Sequence, residues 1–416
     1  MRRFLFAFCF LISLALGGFA QDSVYVVKMD GAVFGFKISE VQEINFEGNK
    51  NEIPNVNPSD RMPSNAIRLA AKMNLGINIG NTMECPCGDN AETCWGSPVI
   101  TQQIVDTYKN SGFNAIRIPV AWDNHRESES TFNIKASWMN RVKEVVDYAI
   151  KDDLYVIINI HWDNGWLEKH CTEDDKEAVN KEQAALWKQI ATYFKDYDEH
   201  LLFASANEPA VDNESQAAVL KSYHQTFVNT VRESGGNNDL RCLVIQGANT
   251  AADAKYDVMP TDKIDGRLMF EFHYYPYTYC LMEQDADWGN MHYFWGKNYQ
   301  NIYINGVNRS CSWHTEATVD SEFSYLKSKF VDKGIPVIMG EFAAMNRDLG
   351  SNQQKFEECR AYFYEYLVKV GKNNGIVPFL WDTPGTGIID RDNCKVQNQT
   401  ALDGLLKGVN EGHYPF

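Results

Sequence analysis

Residues 201–210 read LLFASANEPA and residues 335–344 read IPVIMGEFAA, and the expected fold follows from these two stretches. Each is a run of apolar and small residues interrupted by a glutamate, Glu208 in the first and Glu341 in the second. Short apolar runs of this kind are typical of strands buried in a parallel sheet. A carboxylate is costly to bury unless a neighbouring group balances its charge. Two of them at strand ends, on a chain with 13% aromatic residues, favour paired-carboxylate chemistry on a sugar.

Six more apolar runs of this kind alternate with helical patterns from residue 61 onward, and several of the helical stretches close on glycine, the usual C-terminal stop. Eight β/α units predict an α/β fold, a closed (β/α)8 TIM barrel whose functional site lies at the C-terminal ends of the strands. A doubly wound open sheet is the alternative, and it is weaker because no glycine-rich phosphate fingerprint follows the first strand. The eight strand candidates are LGINIGN, NAIRIPVAW, YVIINIHWD, LLFASANEP, CLVIQGAN, LMFEFHYYP, PVIMGEF and VPFLWD.

The part of the chain before this alternating pattern divides into three segments. Residues 1–20 have two arginines, an apolar run and a small-residue cleavage site, which together indicate a secretory signal peptide. Residues 21–50 contain three short alternating runs, and an Asp-Gly pair between the first two is a strong hairpin signal, so we expect a small β appendage. Residues 51–63 are polar and contain prolines, which predicts a linker and leaves residues 64–416 for the barrel.

The chain carries a formal net charge of −16, which disfavours nucleic acid and anionic membranes as partners and is compatible with a neutral polymer. The apolar run of the signal peptide is too short for a membrane span, and no later stretch approaches the roughly 18 apolar residues that a span requires. We therefore expect an exported protein without a membrane span. It would be secreted, or held in the periplasm or at the cell surface, and we expect a monomer.

Nine cysteines remain when the cysteine of the signal peptide is removed, and nine is an odd number. In an oxidising compartment some of them should pair and at least one should stay free. Cys85, Cys87 and Cys94 lie close together in sequence. We favour a disulfide-closed loop there over a metal site, because no histidine lies among them and the spacing matches no standard zinc motif. Cys280 with Cys311 is a second candidate pair.

Seven of the eight strand candidates carry polar or aromatic groups where the strand should finish. Any single group has an ordinary structural explanation, since a lone strand histidine is more often a satisfied core residue and a lone tryptophan is more often packing. Seven at the same end of one barrel favour a functional site. Glu271, which also lies in a strand, is interpreted as a structural partner within the barrel. The seven groups are Gly80-Asn81-Thr82, Arg117, His161-Trp162, Asn207-Glu208-Pro209, His273-Tyr274-Tyr275, Glu341 and Trp381-Asp382.

Six motifs in this order, NAIRIPVAW, IINIHWD, ASANEPA, FHYY, IMGEFAA and FLWD, together resemble glycoside hydrolase family 5, within the retaining β-glycanase clan. The stretch GNTMEC followed by CWGSPVITQQIVDTYKNSGFNAIRIPVAW is most similar to the bacterial endo-β-1,4-glucanases and xyloglucanases of subfamily 4. The resemblance covers residues 64–410. One position departs from the family pattern, because Ile77 stands where the family usually has an aromatic residue, and this bears on local packing or a sugar contact.

The resemblance implies that Glu208 is the general acid/base and Glu341 the nucleophile. Retaining hydrolysis needs one protonated carboxyl group to protonate the leaving oxygen and one ionised carboxylate to attack the anomeric carbon. Their environments must therefore separate the two pKa values. Arg117 is expected near Glu341, where its charge would keep the nucleophile ionised. Carboxyl groups about 5 to 5.5 Å apart are expected for this mechanism.

The resemblance also implies a set of supporting side chains. Asn207 would bind the 2-hydroxyl of the sugar, and Tyr275 would hold the nucleophile in position. His161 and His273 would line the cleft as hydrogen-bond donors, and Trp381 would form a platform under the sugar ring. His273 and Tyr275 are expected on one face of their strand, with the intervening tyrosine on the other. No metal ion or organic cofactor is implied.

These observations predict an exported endo-β-1,4-glucanase that cuts β-1,4-glucan chains with retention of configuration. One alternative is the same mechanism on xyloglucan, mixed-linkage glucan, mannan or xylan. A second is a barrel that binds carbohydrate without cutting it. A third is a different barrel enzyme, such as an aldolase or a metal-dependent hydrolase, which would need a strand-end lysine or a cluster of histidine and aspartate ligands that the sequence lacks.

Overall fold

A computed structural model describes residues 23–27, 33–37 and 58–416 of the chain, which divides into two compact units, Met1–Asn55 and Val56–Phe416. In the first unit β1 (Ser23–Val27) and β2 (Val33–Lys37) form an antiparallel pair. This pairing agrees with the hairpin predicted at the Asp-Gly signal. The signal peptide, the third run of the appendage and most of the predicted linker lie outside the described residues and stay predictions.

The second unit contains the eight-stranded closed barrel that the sequence predicts, with one barrel strand at each of the eight strand candidates, the last strand beginning one residue before its candidate. The remaining four strands of this unit form two short antiparallel pairs in loops. The strands of the unit are β3 (Gly76–Ile79), β4 (Ala115–Ile118), β5 (Tyr155–Asn159), β6 (Leu201–Ala204), β7 (Leu243–Gln246), β8 (Leu268–Tyr274), β9 (Tyr303–Ile304), β10 (Val307–Asn308), β11 (Val337–Phe342), β12 (Ile376–Asp382), β13 (Ile389–Asp390) and β14 (Lys395–Val396).

All eight barrel strands are parallel, in the order β3-β4-β5-β6-β7-β8-β11-β12 with β12 closing on β3. An α-helix follows every barrel strand except β7, after which the chain reaches β8 through a 3-10 turn (Ala248–Thr250) and a loop. The helices are α1 (Pro58–Arg61), α2 (Ala66–Lys72), α3 (Gln102–Asn110), α4 (Ala136–Lys151), α5 (Lys176–Tyr193), α6 (Glu214–Glu233), α7 (Tyr277–Cys280), α8 (Glu316–Lys329), α9 (Gln353–Asn373) and α10 (Gln399–Glu411).

Local sequence explains where several of these helices begin and end. Thr101 and Asn213 cap α3 and α6 by accepting hydrogen bonds from backbone N–H groups of the first turn. Gly112 follows α3 with a φ of 98°, a left-handed conformation that costs glycine little, so it acts as the stop signal read in the sequence. Helices with such defined ends bring the chain back to the start of the next strand.

The interior of the barrel is apolar at its N-terminal end and polar at its C-terminal end. Buried side chains such as Ile157, Val244 and Ile338 fill the lower layers, and α2 packs against them with Leu69. Because strand side chains alternate, the next inward positions along the same strands belong to the C-terminal layer. Met62 is also buried, so the end of the predicted linker already belongs to the barrel.

The described cysteines confirm one pairing and correct another. Cys87 and Cys94 form a disulfide, as the loop prediction requires. The candidate pair Cys280 and Cys311 is wrong, because both are free buried thiols. The Cys311 thiol donates to the carbonyl oxygen of His314 at 3.8 Å, and both cysteines pack as small apolar residues in the core. Among the described helices, none has the length and apolar character that a bilayer span needs.

Candidate active site

Glu341 lies near the end of β11 and is held from two sides. Its Oε1 accepts a hydrogen bond from Nη1 of Arg117 at 2.9 Å, and its Oε2 accepts one from the hydroxyl of Tyr275 at 3.1 Å. The side chain is 7% exposed, so it reaches the cleft with only a small part of its surface. Both carboxylate oxygens therefore have fixed directions, which is the arrangement that the sequence predicted for these three residues.

Glu208 follows β6 and differs from Glu341 in exposure and in backbone conformation. Its side chain is 49% exposed, and its Oε1 lies 2.7 Å from Nδ1 of His273. Its φ is 45°, in the left-handed region that non-glycine residues rarely adopt. Such strain is maintained where the surrounding structure requires it, often at functional sites. Here it directs the carboxylate towards the open cleft.

The two carboxylates face each other across a short gap. One oxygen of Glu208, one oxygen of Glu341 and one ring nitrogen of His273 all lie within 4.8 Å of one another. A gap of this size suits retaining chemistry, whereas inverting enzymes separate their carboxyl groups by about 6.5 to 9.5 Å to admit a water molecule. The expected proximity of the two glutamates is therefore present in the fold.

Arg117 is completely buried, and its guanidinium group connects residues on three other barrel strands, β3, β8 and β11, with a residue that follows β6. Besides Glu341, it donates to Oδ1 of Asn78 and to Oδ1 of Asn207, both at 3.0 Å, and its Nε lies 3.1 Å from Glu271. Because Oδ1 of Asn207 is used in this way, the amide NH2 of Asn207 remains for a ligand in the cleft. The guanidinium thus orients two of the predicted site residues at once.

His273 lies between three carboxylates. Nδ1 contacts Glu208 at 2.7 Å and Glu341 at 3.6 Å, and Nε2 lies 3.3 Å from Glu271. Burial alone would lower the pKa of His273, but the Glu341 charge and the hydrogen bonds to Glu208 and Glu271 raise this pKa to about 9. The imidazole is therefore a cation at neutral pH, and it donates from both ring nitrogens.

The pKa values of Glu208 and Glu341 move in opposite directions, and these directions are the reverse of those that the sequence predicts for a general acid at Glu208 and an ionised nucleophile at Glu341. For Glu208, burial raises the pKa, but the hydrogen bond and charge of His273 outweigh this effect and the pKa lies below its ordinary value. For Glu341, burial raises the pKa above its ordinary value, against the charges of His273 and Arg117. In the free protein, the proton of the Glu208–His273 pair therefore resides on the imidazole.

His161 and Trp381 form one wall of the cleft, with parallel rings whose centroids are 5.8 Å apart. Burial lowers the pKa of His161 well below its ordinary value, and the charges of Arg117 and His273 add to this, so His161 is neutral. Asn159 accepts from the backbone N–H of Val120 through Oδ1 and contacts Nδ1 of His161 through its Nδ2, at 3.1 Å. Because Nδ2 is a donor, this contact places the His161 proton on Nε2.

The indole of Trp381 lies directly against Gly80. A Cβ at Gly80 would come within 2.8 Å of the indole ring, so a larger residue would displace the platform. The neighbouring Asp382 is buried and accepts hydrogen bonds from Arg391 at 3.0 Å and from Tyr108 at 3.1 Å. Asp382 therefore anchors the strand end that carries Trp381, and it does not face the reacting groups as a functional carboxylate.

The structure separates other strand-end groups from the site. The backbone N–H groups of Asn81 and Thr82 bind the side chain of Glu84, so this polar stretch forms a local turn. Tyr274 points away from the cleft and packs against Phe323, as the alternation along its strand predicts.

Asn78 was not predicted as a site residue, and Glu271 was predicted to be structural, but both support the site. Asn78 donates to the carbonyl oxygens of Gly340 and Leu380 at 2.8 and 3.1 Å and accepts from Arg117. Both residues face inward on barrel strands, and a polar side chain at an inward position of an apolar strand is the signal that identifies them. Glu271 contacts Arg117 and His273 and so belongs to the same polar cluster.

The loop between β8 and α8 is rich in aromatic residues, and its members divide into two groups. Phe294 and Trp295 are buried and pack the loop onto the barrel. Tyr277 and Trp288 are exposed, with ring centroids 6.0 Å apart. Tyr277 follows Tyr275 by two positions, so the exposed pair belongs to the segment that leaves the C-terminal end of β8.

Glu208, His273 and Glu341 are spaced closely enough for their ligand atoms to contact one cation. Both oxygens of Glu341 are already engaged by Arg117 and Tyr275. A metal ion would also lie directly beside the positive charges of Arg117 and His273, which opposes its binding. The donor set therefore suits a pair of reacting carboxylates better than a metal centre.

A family model described as "Cellulase (glycosyl hydrolase family 5)" matches residues 81–386 of the chain. The xyloglucan-specific endo-beta-1,4-glucanase BoGH5A of Bacteroides ovatus is 35% identical to it over 364 residues, which are 83% of this chain and 70% of that protein. Endoglucanase A of Paenibacillus barcinonensis is 34% identical over 381 residues, covering 84% and 92% of the two chains.

Comparison with solved structures supports the same family assignment. The crystal structure of XEG5B, a xyloglucan-specific beta-1,4-glucanase from a ruminal metagenomic library in complex with XXLG, superposes with a TM-score of 0.79 at 38% identity. The match covers 85% of this chain and 98% of that one. The family resemblance read from six sequence motifs is thereby confirmed.

Proposed function

The chain belongs to glycosyl hydrolase family 5, and from this membership we propose that Glu208 and Glu341 cut β-1,4-glucan chains at internal bonds, with Glu208 as the general acid/base and Glu341 as the nucleophile. The protein is a retaining endo-β-glucanase. The observation that carries the assignment of roles is the difference in how the two carboxylates are held. Glu341 is buried between Arg117 and Tyr275, whereas Glu208 is half exposed and bonded to His273.

In the first step the carboxylate of Glu341 attacks the anomeric carbon, and the bond from that carbon to the leaving oxygen breaks. Glu208 delivers a proton to the leaving oxygen. Arg117 and Tyr275 keep the attacking oxygen in one orientation, so little rearrangement is needed on the way to the transition state. The NH2 group of Asn207 is available to the 2-hydroxyl of the sugar.

In the second step a water molecule releases the sugar from Glu341, and Glu208 now accepts the proton of that water. Because each step inverts the anomeric carbon once, the overall configuration is retained. Glu208 must therefore be protonated in the first step and ionised at the start of the second. A half-exposed carboxylate with a proton donor beside it suits this alternation.

The pKa directions in the free protein place the proton on His273, so the first step needs it to move to Glu208. The path is a single hydrogen bond of 2.7 Å from Nδ1 of His273 to Oε1 of Glu208. A sugar that fills the cleft excludes water, which makes the charged form of the pair less favourable than the neutral form. Substrate binding thereby favours the protonated Glu208 that the reaction requires.

The chemistry of the cleft supports a glucan as the substrate. Trp381 offers a flat ring beside His161, and Tyr277 and Trp288 offer exposed rings on the segment after β8, which suit the apolar faces of glucose units. Xyloglucan is the second candidate, favoured by the similarity to two xyloglucan-specific enzymes at 35% and 38% identity. Both substrates share the β-1,4-glucan backbone, so the same two glutamates serve either.

Reducing-sugar release by the purified protein tests this function. The substrates are carboxymethyl cellulose, barley β-glucan, xyloglucan, glucomannan and xylan, with Glu208→Gln as the inactive control. We expect release from the glucans that the substitution abolishes. Activity confined to mannan or xylan would contradict the substrate, and no activity on any polymer would favour a barrel that binds sugar without cutting it.

Export and a monomeric state remain part of the proposal. Residues 1–20 have the composition of a signal peptide, and a polymeric substrate lies outside the cell. N-terminal sequencing of the protein recovered from the culture medium or the periplasm checks the cleavage site. Light scattering of the purified protein checks the monomer.

A further inference from the structure

Glu271 lies beneath the reacting carboxylates, on β8 and two positions before His273. It is completely buried, and its Oε1 lies 3.1 Å from Nε of Arg117 and 3.3 Å from Nε2 of His273. Arg117 binds Glu341 on its other side, and His273 binds Glu208 on its other side. Glu208 is therefore connected to Glu271 through His273, and Glu341 is connected to it through Arg117 and, at a longer 3.6 Å, through His273.

Stability alone is a weak reason to keep a carboxylate at this position. Moving an ion into the core costs several kcal/mol, and a buried ion pair often contributes less than apolar residues of the same size. Oε2 of Glu271 makes no hydrogen bond with any described residue, so the carboxylate is only partly satisfied. The barrel also keeps a glycine at Gly340, where a Cβ would overlap Oε1 of Glu271.

The charges around this point explain what Glu271 does. Arg117 and His273 are two cations that both contact Glu271, and neighbouring like charges repel each other. We propose that Glu271 is a positioning residue whose negative charge lies between Arg117 and His273, where it orients the Arg117 guanidinium towards Glu341 and holds the His273 imidazole as the cation beside Glu208 and Glu341. This inference rests on the proposed roles of Glu208 and Glu341, and it assigns Glu271 no contact with the substrate.

The charge of Glu271 also acts on the protonation of the whole cluster. A nearby anion favours the protonated form of every neighbouring group. Removing it lowers the pKa of His273, and it lowers the pKa of Glu341 as well, because Glu271 is one of the charges that raise that value. The groups that face His273 from the surrounding strands are Glu208, Glu341, His161 and Gln246, and Arg117 and Tyr275 share the Glu341 carboxylate with it.

The substitution Glu271→Gln tests the inference, since it removes the charge and keeps the shape. We expect the bell-shaped pH profile of kcat/KM to move as a whole to lower pH, because both of its limbs report groups whose protonated forms the Glu271 charge favours. A role limited to packing would lower activity or stability without moving the profile. Glu271→Asp, which keeps the charge, should return the profile towards its wild-type position.

A second readout does not depend on turnover. The protein contains nine histidines, and labelling their Cε1 with ¹³C allows the His273 signal to be assigned by its loss in His273→Gln and then titrated. We expect the pKa of His273 to fall by about one unit or more in Glu271→Gln, a tenfold change in its acidity. A change smaller than about 0.3 units would overturn the inference.

Glu199→Gln is the matched control, because Glu199 is a buried carboxylate paired with Lys72 at 2.6 Å, just before β6 at the other end of the barrel. It should leave both the His273 titration and the pH profile unchanged. If Glu271→Gln does not fold, the titration of His273 in the wild-type protein still tests the inference. A His273 pKa at or below the ordinary 6.5 would show that no anion stabilises the protonated imidazole, and it would overturn the inference.

The two proposals fail in different ways. If the wild-type protein hydrolyses none of the polymers while the His273 titration shifts as expected, the proposed function is wrong and the electrostatic role of Glu271 stands. If the protein is active and neither the profile nor the titration moves in Glu271→Gln, the role of Glu271 is wrong and the proposed function stands.

Discussion

The buried guanidinium of Arg117 donates a 2.9 Å hydrogen bond to Glu341, although 224 positions of sequence separate the two residues. The contact exists because both residues lie on the inward face of barrel strands near the C-terminal end. In this position Arg117 orients one oxygen of Glu341 and keeps a positive charge beside it. The proposed nucleophile is therefore positioned by the fold itself, before any substrate arrives.

Replacing Glu208 or Glu341 by alanine should lower activity in two ways that differ in their dependence on the leaving group of the substrate. Glu341→Ala removes the nucleophile, so we expect kcat to fall by about 10⁴-fold or more on every substrate. Glu208→Ala removes the acid, which matters less when the leaving group is already acidic, so cleavage of the glycosidic bond in a dinitrophenyl cellobioside should be largely preserved. Stopped-flow release of dinitrophenol measures this step. An equal loss in both variants on this substrate would contradict the assigned roles.

Arg117→Lys should lower kcat/KM by about 10²-fold or more, because an ammonium group cannot reach Glu341, Asn78 and Asn207 together. Kinetics on barley β-glucan measure the loss, and circular dichroism shows whether the variant is folded. Arg241→Lys is the control, since Arg241 is also fully buried but bonds backbone carbonyls such as those of Tyr197 and Leu201 outside the site. A loss of the same size in both variants would show that Arg117 serves folding alone.

The pH profile of kcat/KM should be bell-shaped, with limbs that belong to the coupled cluster as a whole. Glu341 must be ionised, and burial raises its pKa, so the acid limb should lie above the ordinary glutamate value of 4.5. The Glu208–His273 pair must keep its proton, which resides on His273 with a pKa of about 9, so activity should fall as the pH rises through that value. His273→Gln should move the alkaline limb. An alkaline limb near pH 5 would contradict the assignment of this limb to the proton of the Glu208–His273 pair.

Gly80→Ala should weaken substrate binding, because a Cβ at this position would push against the indole of Trp381. We expect a rise in KM for β-glucan that is larger than the fall in kcat, since the platform contacts the sugar and the reacting carboxylates are left in place. Gly289→Ala is the control, because a Cβ there would meet nothing within 4 Å. An unchanged KM in Gly80→Ala would exclude Trp381 as a sugar platform.

Much of the site was predictable from the strand ends alone. Parallel strands place their C-terminal ends on one face of a barrel, so Glu208, His273 and Glu341 had to be near each other once the strands were recognised. The alternation of side chains along β8 correctly put His273 and Tyr275 on the same face. Glu271 was interpreted as a structural partner, because the sequence does not show that its carboxylate contacts both Arg117 and His273.

The pairing of cysteines was predicted correctly only where the two cysteines lie close together in the sequence. Cys87 and Cys94 are seven positions apart, so a disulfide between them needed little knowledge of the fold. Cys280 and Cys311 are separated by a long loop, and the path of that loop determines where their thiols point. The structure directs the Cys311 thiol at a backbone carbonyl group, which no local pattern indicates.

The sequence by itself determined the barrel, the end at which the site lies and the identity of the facing glutamates, because these depend on local periodicity and on the geometry common to all parallel barrels. Only the tertiary structure decided that Arg117 is shared by Glu341 and Glu271, and that the proton of the Glu208–His273 pair resides on His273. Charge interactions fall with the distance through space, and strands far apart in the chain determine those distances.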